Sequence, residues 1–146
     1  MRTKLNIKIE QDNSKEVLNE LDDALERALE KIGLIAEGHA KLHLTMSDAV
    51  DTGRLRNSIS HATHTNAQSI SYSWGDSTKG RRVKGGSDST TPHGSPEKNN
   101  VVIGTNVEYA PYIELGTSNI AARPYLKPAI ASNISKFKQI IEEELK

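Results

Sequence analysis

The first regular pattern along the chain is an alternation. Leu5, Ile7 and Ile9 are separated by Asn6 and Lys8 and followed by Glu10, a period of two that predicts a short strand with one buried face. Gln11 to Ser14 reads as a polar turn. Asn13 followed by Glu16 has the form of a capping box, which opens a helix there. The period then changes. Leu18, Leu21, Leu25, Ala28, Ile32, Ile35, His39, Leu42 and Met46 recur at alternating steps of three and four, and Val17, Ala24, Leu29 and Ala36 widen the stripe. At 1.5 Å per residue, a helix from 14 to about 45 is roughly 45 Å long. Gly33 and Gly38 each cost ~1 kcal/mol against Ala, so they mark places for a bend or break. The stripe spans barely four heptads without a clean charge code beside it, which favours packing against a sheet and a C-terminal helix over a coiled coil.

Beyond the helix, Asp48 to Asn57 reads as a connector with a short helical turn. Ser58 to Thr65 and Ser69 to Trp74 read as two strands around Asn66-Ala67. In the second, Ile70, Tyr72 and Trp74 share a face; in the first, Ile59 and Ala62 face opposite ways. Val101 to Thr105 is a β-branched run expected to form a central strand. Glu108 to Leu115 reads as a short helix stopped by Gly116. Pro124 and Pro128 open a last helix with Leu126, Ile130, Ile134, Phe137, Ile141 and Leu145 on one face. The element order predicts an α+β fold: a long N-terminal helix and a C-terminal helix on a small, mostly antiparallel sheet. Residues 1–146 are expected to form a single domain, with 75–100 as an extended mobile loop.

Composition sharpens this picture. The 146 residues carry 19 basic and 19 acidic side chains, and the balance argues against a dedicated polyanion binder and against charge-driven disorder. Only 35% of residues are hydrophobic and 4% aromatic, so the core is thin, which points to a shape completed by partner subunits or to a sizeable part outside any core. The absence of cysteine excludes a disulfide scaffold, thiol catalysis and cysteine zinc sites. No apolar run approaches ~20 residues, so no membrane partner is expected, and MRTKLNIKIE does not read as a signal peptide. Gly75 to Asn100 has Val83 as its one aliphatic residue beyond glycine. Such a segment buries too little apolar surface to offset its ordering entropy.

Candidate chemistry is sparse. Asp51-Thr52-Gly53 matches the aspartic-protease triplet, which works when two copies meet in a dimer. Arg54-Leu55-Arg56 follows it where an apolar strand context is required, so a turn with Thr52 capping a short helix fits better. His39 and His43 lie four apart on the long helix, but no third metal ligand stands near them in sequence. His61 and His64 point to opposite faces of a strand. No nucleophile elbow, Walker loop or dinucleotide fingerprint is present. No cofactor is expected. Lys79, Arg81, Arg82 and Lys84 give the long loop a basic head suited to phosphate contact, although charges of this kind also simply keep a loop solvated.

Two segments carry more information. VDTGRLRNSI spans Val50 to Ile59, and VVIGTNVEYAPYIELGTSNIAARPYLKPAI spans Val101 to Ile130. The order T-G-x-L-x-x-S-I, a variable hairpin, Y-A-x-Y-[IV]-E-x-G-T and A-R-P-[FY]-L-x-P-A resembles the small head–tail joining (neck or tail-completion) proteins of long-tailed double-stranded DNA bacteriophages and prophages. The resemblance implies a structural virion protein and not an enzyme. It implies a ring of identical subunits on assembly, while the free subunit can be a monomer. The ring would contact neighbouring head-completion or connector and tail proteins, and genomic DNA would pass through its channel without sequence specificity. Localisation would be the head–tail junction of the virion, reached from the host cytoplasm. A tail terminator capping the tube is the neighbouring alternative, and a dimeric protease using Asp51 is the alternative of another class.

In this resemblance the motif and interface positions are Thr52, Gly53, Arg54, Leu55, Arg56, Tyr109, Tyr112, Glu114, Gly116, Thr117, Arg123 and Pro124. Glu114 is the one acidic residue in an apolar stretch, and it is expected to pair with Arg54, Arg56 or Arg123. Lys79, Arg81, Arg82 and Lys84 would touch a neighbour or DNA. Half the loop, ~13 residues at ~3.3 Å each, reaches about 40 Å when extended.

Overall fold

The computed structural model describes residues 14–47, 53–77, 84–90 and 96–146. The strand expected at Leu5–Ile9 lies outside them, as do Asp51, Thr52, Lys79, Arg81 and Arg82. Helix α1 (Ser14–Met46) is followed by α2 (Arg54–Ser58), β1 (Ser60–Thr63), β2 (Ile70–Trp74), β3 (Gly86–Thr90) and β4 (Val101–Gly104). Helices α3 (Ala110–Leu115), α4 (Leu126–Ala131) and α5 (Ile134–Glu144) complete the chain. The fold is α+β, as the periodicities predict.

Helix α1 runs unbroken through Gly33 and Gly38. The face it buries follows the middle of the expected stripe and departs from it at both ends. Ala24, Ala28, Ile32, Ala36, Ala40 and Leu44 are buried, together with Leu29 and Gly33. Steps of four advance ~40° beyond a full turn each time, so the buried line winds around the helix and leaves the expected positions after Ala36. Leu18, Leu21, Leu42 and Met46 are exposed instead. Small side chains let the neighbouring backbones approach closely. The β1–β4 pair and helices α4 and α5 all pack on this line.

The strands form two separate antiparallel ladders. β1 pairs β4 with Ser60 opposite Gly104 and Thr63 opposite Val101. β2 pairs β3 with Ile70 opposite Thr90 and Trp74 opposite Gly86. Among the described residues β4 therefore has one partner and is not central, and consecutive strands β1 and β2 do not pair with each other. Strand β3 falls inside the 75–100 segment that composition marked as structureless. Its sequence, GSDST, has no apolar residue; cross-strand backbone bonds and anchors outside the ladder hold it.

The expected last helix is two helices. Asn133 is buried between them, and its Nδ2 donates to the Ala129 carbonyl at 2.8 Å. Its own carbonyl accepts the Phe137 N–H at 2.9 Å, so Asn133 closes one helix and opens the next. A short amide side chain that bonds nearby backbone competes with helix continuation in this way. The main core gathers Ala40 and Leu44 of α1, Leu55 and Ile59, Val107 and Ala110, and Tyr125 and Ala129.

Candidate functional site

The residues singled out in the sequence converge on this core from three directions. Gly53 occupies the N-cap position of α2 with φ 84°, a conformation that glycine adopts without steric cost, and no side chain caps the helix. Thr52, expected to cap, lies outside the described residues; the cap position itself belongs to Gly53. Leu55 is buried in the core and Arg56 is half-buried, its carbonyl accepting the Ile59 N–H.

Arg54 does not pair with Glu114. Its Nη1 and Nη2 donate to the two carboxylate oxygens of Glu108, each at 3.0 Å. The guanidinium also lies over the rings of Trp74 (5.0 Å) and Tyr109 (5.7 Å). This is a forked, stacked site that suits arginine and not lysine. The Glu108 hydrogen bonds raise the arginine's already high pKa. Glu108 is held below the ordinary carboxylate range, first by its own backbone N–H and then by Arg54. Burial pushes the Tyr109 hydroxyl up. Neither Trp74 nor Glu108 was marked by sequence as a partner of Arg54; the α2–β2 packing decides it.

Glu114 has a different role from the one expected. Its carboxylate accepts the backbone N–H groups of Tyr125 (2.8 Å), Leu126 (3.0 Å) and Lys127 (3.0 Å). These are the orphan donors at the start of α4, so a side chain eleven residues upstream caps that helix. No arginine is needed to compensate the charge, because three amide dipoles point at it. Between the two helices the chain makes a tight return. Gly116 has φ 75°, and a Cβ there would stand 2.7 Å from the Ala122 nitrogen. The Thr117 hydroxyl accepts the Asn119 and Ile120 N–H groups at 3.2 and 3.0 Å. The Arg123 N–H donates to the Ile113 carbonyl at 2.8 Å. Pro124 stands exposed just ahead of Tyr125. Tyr125 is fully buried and its hydroxyl reaches the Ala110 carbonyl. Burial, with the Glu114 charge second, pushes that hydroxyl's pKa far up. The E-x-G-T and A-R-P-Y-L strings are thus one local unit: cap, turn and plug.

This unit also exposes large apolar side chains, beside polar ones such as Asn119 and Arg123. Tyr112, Leu115 and Ile120 are 58%, 77% and 49% exposed. A groove of about 510 Å³ opens at Leu115, lined also by Ile103, Val107, Pro111, Glu108 and Leu126 among others.

The β2–β3 arm is tied to the body at its stem. Asn57 Nδ2 donates to the Ser73 carbonyl (2.8 Å) and the Tyr72 hydroxyl to Asn106 Oδ1 (2.8 Å). Asn106 Nδ2 donates in turn to Ser89 (3.3 Å). Trp74 Nε1 reaches the Lys84 carbonyl at 3.3 Å, so of the four loop cations Lys84 is placed at the stem, with its side chain exposed.

A second cluster escaped sequence reasoning. The His61 side chain is 8% exposed, with Nδ1 2.6 Å from Glu37 Oε2 and Nε2 2.7 Å from Glu30 Oε1. Glu37 also accepts from Lys41 Nζ at 2.9 Å. Glu30 and Glu37 are two turns apart on one face of α1, and the gap between them is Gly33, against which the imidazole lies. The hydrogen bond to Glu37, followed by that to Glu30, raises the His61 pKa. Glu37 is lowered: burial opposes its charge, but His61 and Lys41 outweigh burial. The spacing of Glu30, Gly33 and Glu37 was visible; that a strand thirty residues on would bring a histidine there was not. His64 is apart from it, exposed, with Nδ1 at the Pro96 carbonyl (2.8 Å).

Among the described residues no three His, Asp or Glu side chains form a group that could hold a metal, and no helix is long and apolar enough to cross a membrane. Comparison of the chain with family models, curated proteins and solved structures found no match in any of the three.

Proposed function

We propose that the protein is a structural subunit of the phage head–tail junction, one that assembles into a ring which joins or completes the tail and leaves a channel for DNA. It acts by shape and self-association, without catalysis or cofactor. The observation that carries this reading is the way the two family-like segments meet. Leu55 and Ile59 come from the first, and Val107, Ala110, Tyr125 and Ala129 from the second; all six pack in one core on α1. The polar motif residues Glu114, Gly116 and Thr117 are used internally, and the same unit presents Tyr112, Leu115 and Ile120 outward. A rigid scaffold with large apolar side chains on its outer surface is suited to contact with other subunits.

The test is electron microscopy of particles made when this gene alone is deleted. Filled heads beside separate, complete tails are the expected result. Tails of abnormal length would move the assignment to a tail terminator. Fully joined, infectious particles would overturn the proposal.

A further inference from the structure

Among the described residues the β1–β4 pair is open at both edges. The two edges look onto different flanks of α1. His61 of β1 lies at Gly33, and Thr65, past the end of β1, binds Glu26. β1 therefore runs against α1, and β4, antiparallel to β1, runs with it. Lys98, three residues ahead of β4, binds Asp22 at 2.7 Å, which marks the β4 side of the helix. At ~100° per residue, Glu26 and Glu30 stand about 40–80° to one side of Asp22, and Leu18, Leu25 and Leu21 about 40–100° to the other. The flank past β1 is charged, and the flank past β4 is apolar. Leu18 and Leu21 are exposed there, and Leu25 is half-buried. At the C-terminal end of β4, Ile103, Gly104 and Thr105 line the groove of about 510 Å³, together with Pro111, Leu115 and Leu126.

We propose that the segment Leu5–Ile9 of the same chain adds to β4 as an antiparallel edge strand. The segment alternates Leu5, Ile7 and Ile9 with Asn6, Lys8 and Glu10, as a strand with one buried face requires. Its direction follows from α1. A strand that enters Ser14 through a tight return runs against the helix, hence against β4 and along β1. Antiparallel pairing is the more stable of the two per residue, and it favours the β4 edge. An unpaired edge supplies the backbone donors and acceptors.

Reach sets the register. Ser14 to Asp22 is about 12 Å along the helix, and Lys98 to Val101 adds about 10 Å. The seven steps from Ile7 to Ser14 span about 23 Å at ~3.3 Å each, which closes that distance. The five steps from Ile9 span only about 17 Å. Ile7 therefore stands opposite Val101, and Leu5 opposite Ile103. Both share the face of Ile103, which packs against the core, and Leu5 comes to the groove. Ile9, past the start of β4, comes to Leu18 and Leu21. β4 then lies between two strands, the central place its β-branched run predicts. The proposal does not rest on the head–tail reading, because it concerns one chain, alone or within a ring.

The test is amide hydrogen exchange on the full wild-type chain, joined to a cross-link. The amides of Leu5–Ile9 that face β4 are expected to exchange about a hundredfold slower than in an unstructured peptide. Exchange of all of them at the peptide rate would overturn the proposal. The chain has no cysteine, so Asn6→Cys with Val102→Cys introduces a single pair. Opposite residues of an antiparallel ladder stand about 4.5–5.5 Å apart at Cα, within disulfide reach. Oxidation should consume both thiols while the product keeps the mass of one chain on a denaturing gel, whatever the oligomeric state. A bond between two chains, or no bond in a variant whose circular dichroism matches wild type, would overturn the proposal. The exchange result on wild type decides even where the double variant does not fold.

Discussion

Replacing His61 probes the contact between α1 and the sheet most directly. Both ring nitrogens face carboxylate oxygens, at 2.6 and 2.7 Å, and an ionised carboxylate can only accept. The ring is flanked by Glu30 and Glu37 of α1, which favour its imidazolium form by raising its pKa, with Lys41 as the further cation on Glu37. A hydrogen bond between charged groups contributes about 1.5–3 kcal/mol. Glu30 and Glu37 are 32% and 20% exposed, which places both bonds at the low end, about 3 kcal/mol together. His61→Ala should therefore lower the unfolding free energy by about 3 kcal/mol, or the melting temperature by roughly 10 °C for a chain of this size.

The pH dependence is the sharper part. The folded pKa of His61 is raised above its ordinary 6.5, so the contribution is complete below 6.5 and disappears as pH rises through the folded value. Glu37 is lowered, so its part is present above about pH 4.5 and lost as pH falls through its folded value. The gap between wild type and His61→Ala should thus be widest near pH 5.5–6 and shrink toward pH 9. Urea unfolding, followed by fluorescence of the single tryptophan, Trp74, reads it at each pH. An equal gap at pH 5.5 and pH 9 would refute the charged-latch reasoning.

Two glycines on α1 should respond in opposite directions. Gly38→Ala meets nothing within 4 Å and should add about 0.5–1 kcal/mol of stability, whereas Gly33→Ala, whose Cβ would stand 2.8 Å from His61 Cγ, should be destabilising by about 1 kcal/mol or more; thermal melts of both variants decide it. Glu114→Ala should cost about 2–3 kcal/mol by uncapping α4, with Glu114→Gln recovering part of it, and denaturant titration of the free subunit is the check. Gly116→Ala should cost more than 1 kcal/mol, because its φ of 75° and the nearby Ala122 nitrogen both oppose a side chain. Arg54→Lys should lose the forked bond to Glu108, seen as a changed Trp74 emission and a lower melting temperature.

Local rules carried far in this sequence. The step of three and four residues located α1, and Gly116 marked the end of α3, because helix period and left-handed turns are imposed by the backbone itself. Both strings singled out in the sequence contribute to one core, Leu55 and Ile59 from the first and Val107, Ala110, Tyr125 and Ala129 from the second. What could not be read there is who faces whom. The buried line on α1 includes four alanines and Gly33 beside Leu29, Ile32 and Leu44, while Leu18, Leu21 and Leu42 stay exposed, so hydropathy alone did not select it. Arg54 found Glu108 while Glu114 found backbone, because a carboxylate close to a helix start is satisfied by amides without any second charge. His61 joined Glu30 and Glu37 only once β1 crossed α1 at Gly33. Periodicity constrains each element alone, while partner choice depends on distances between elements far apart in the chain, and those exist only in the folded molecule.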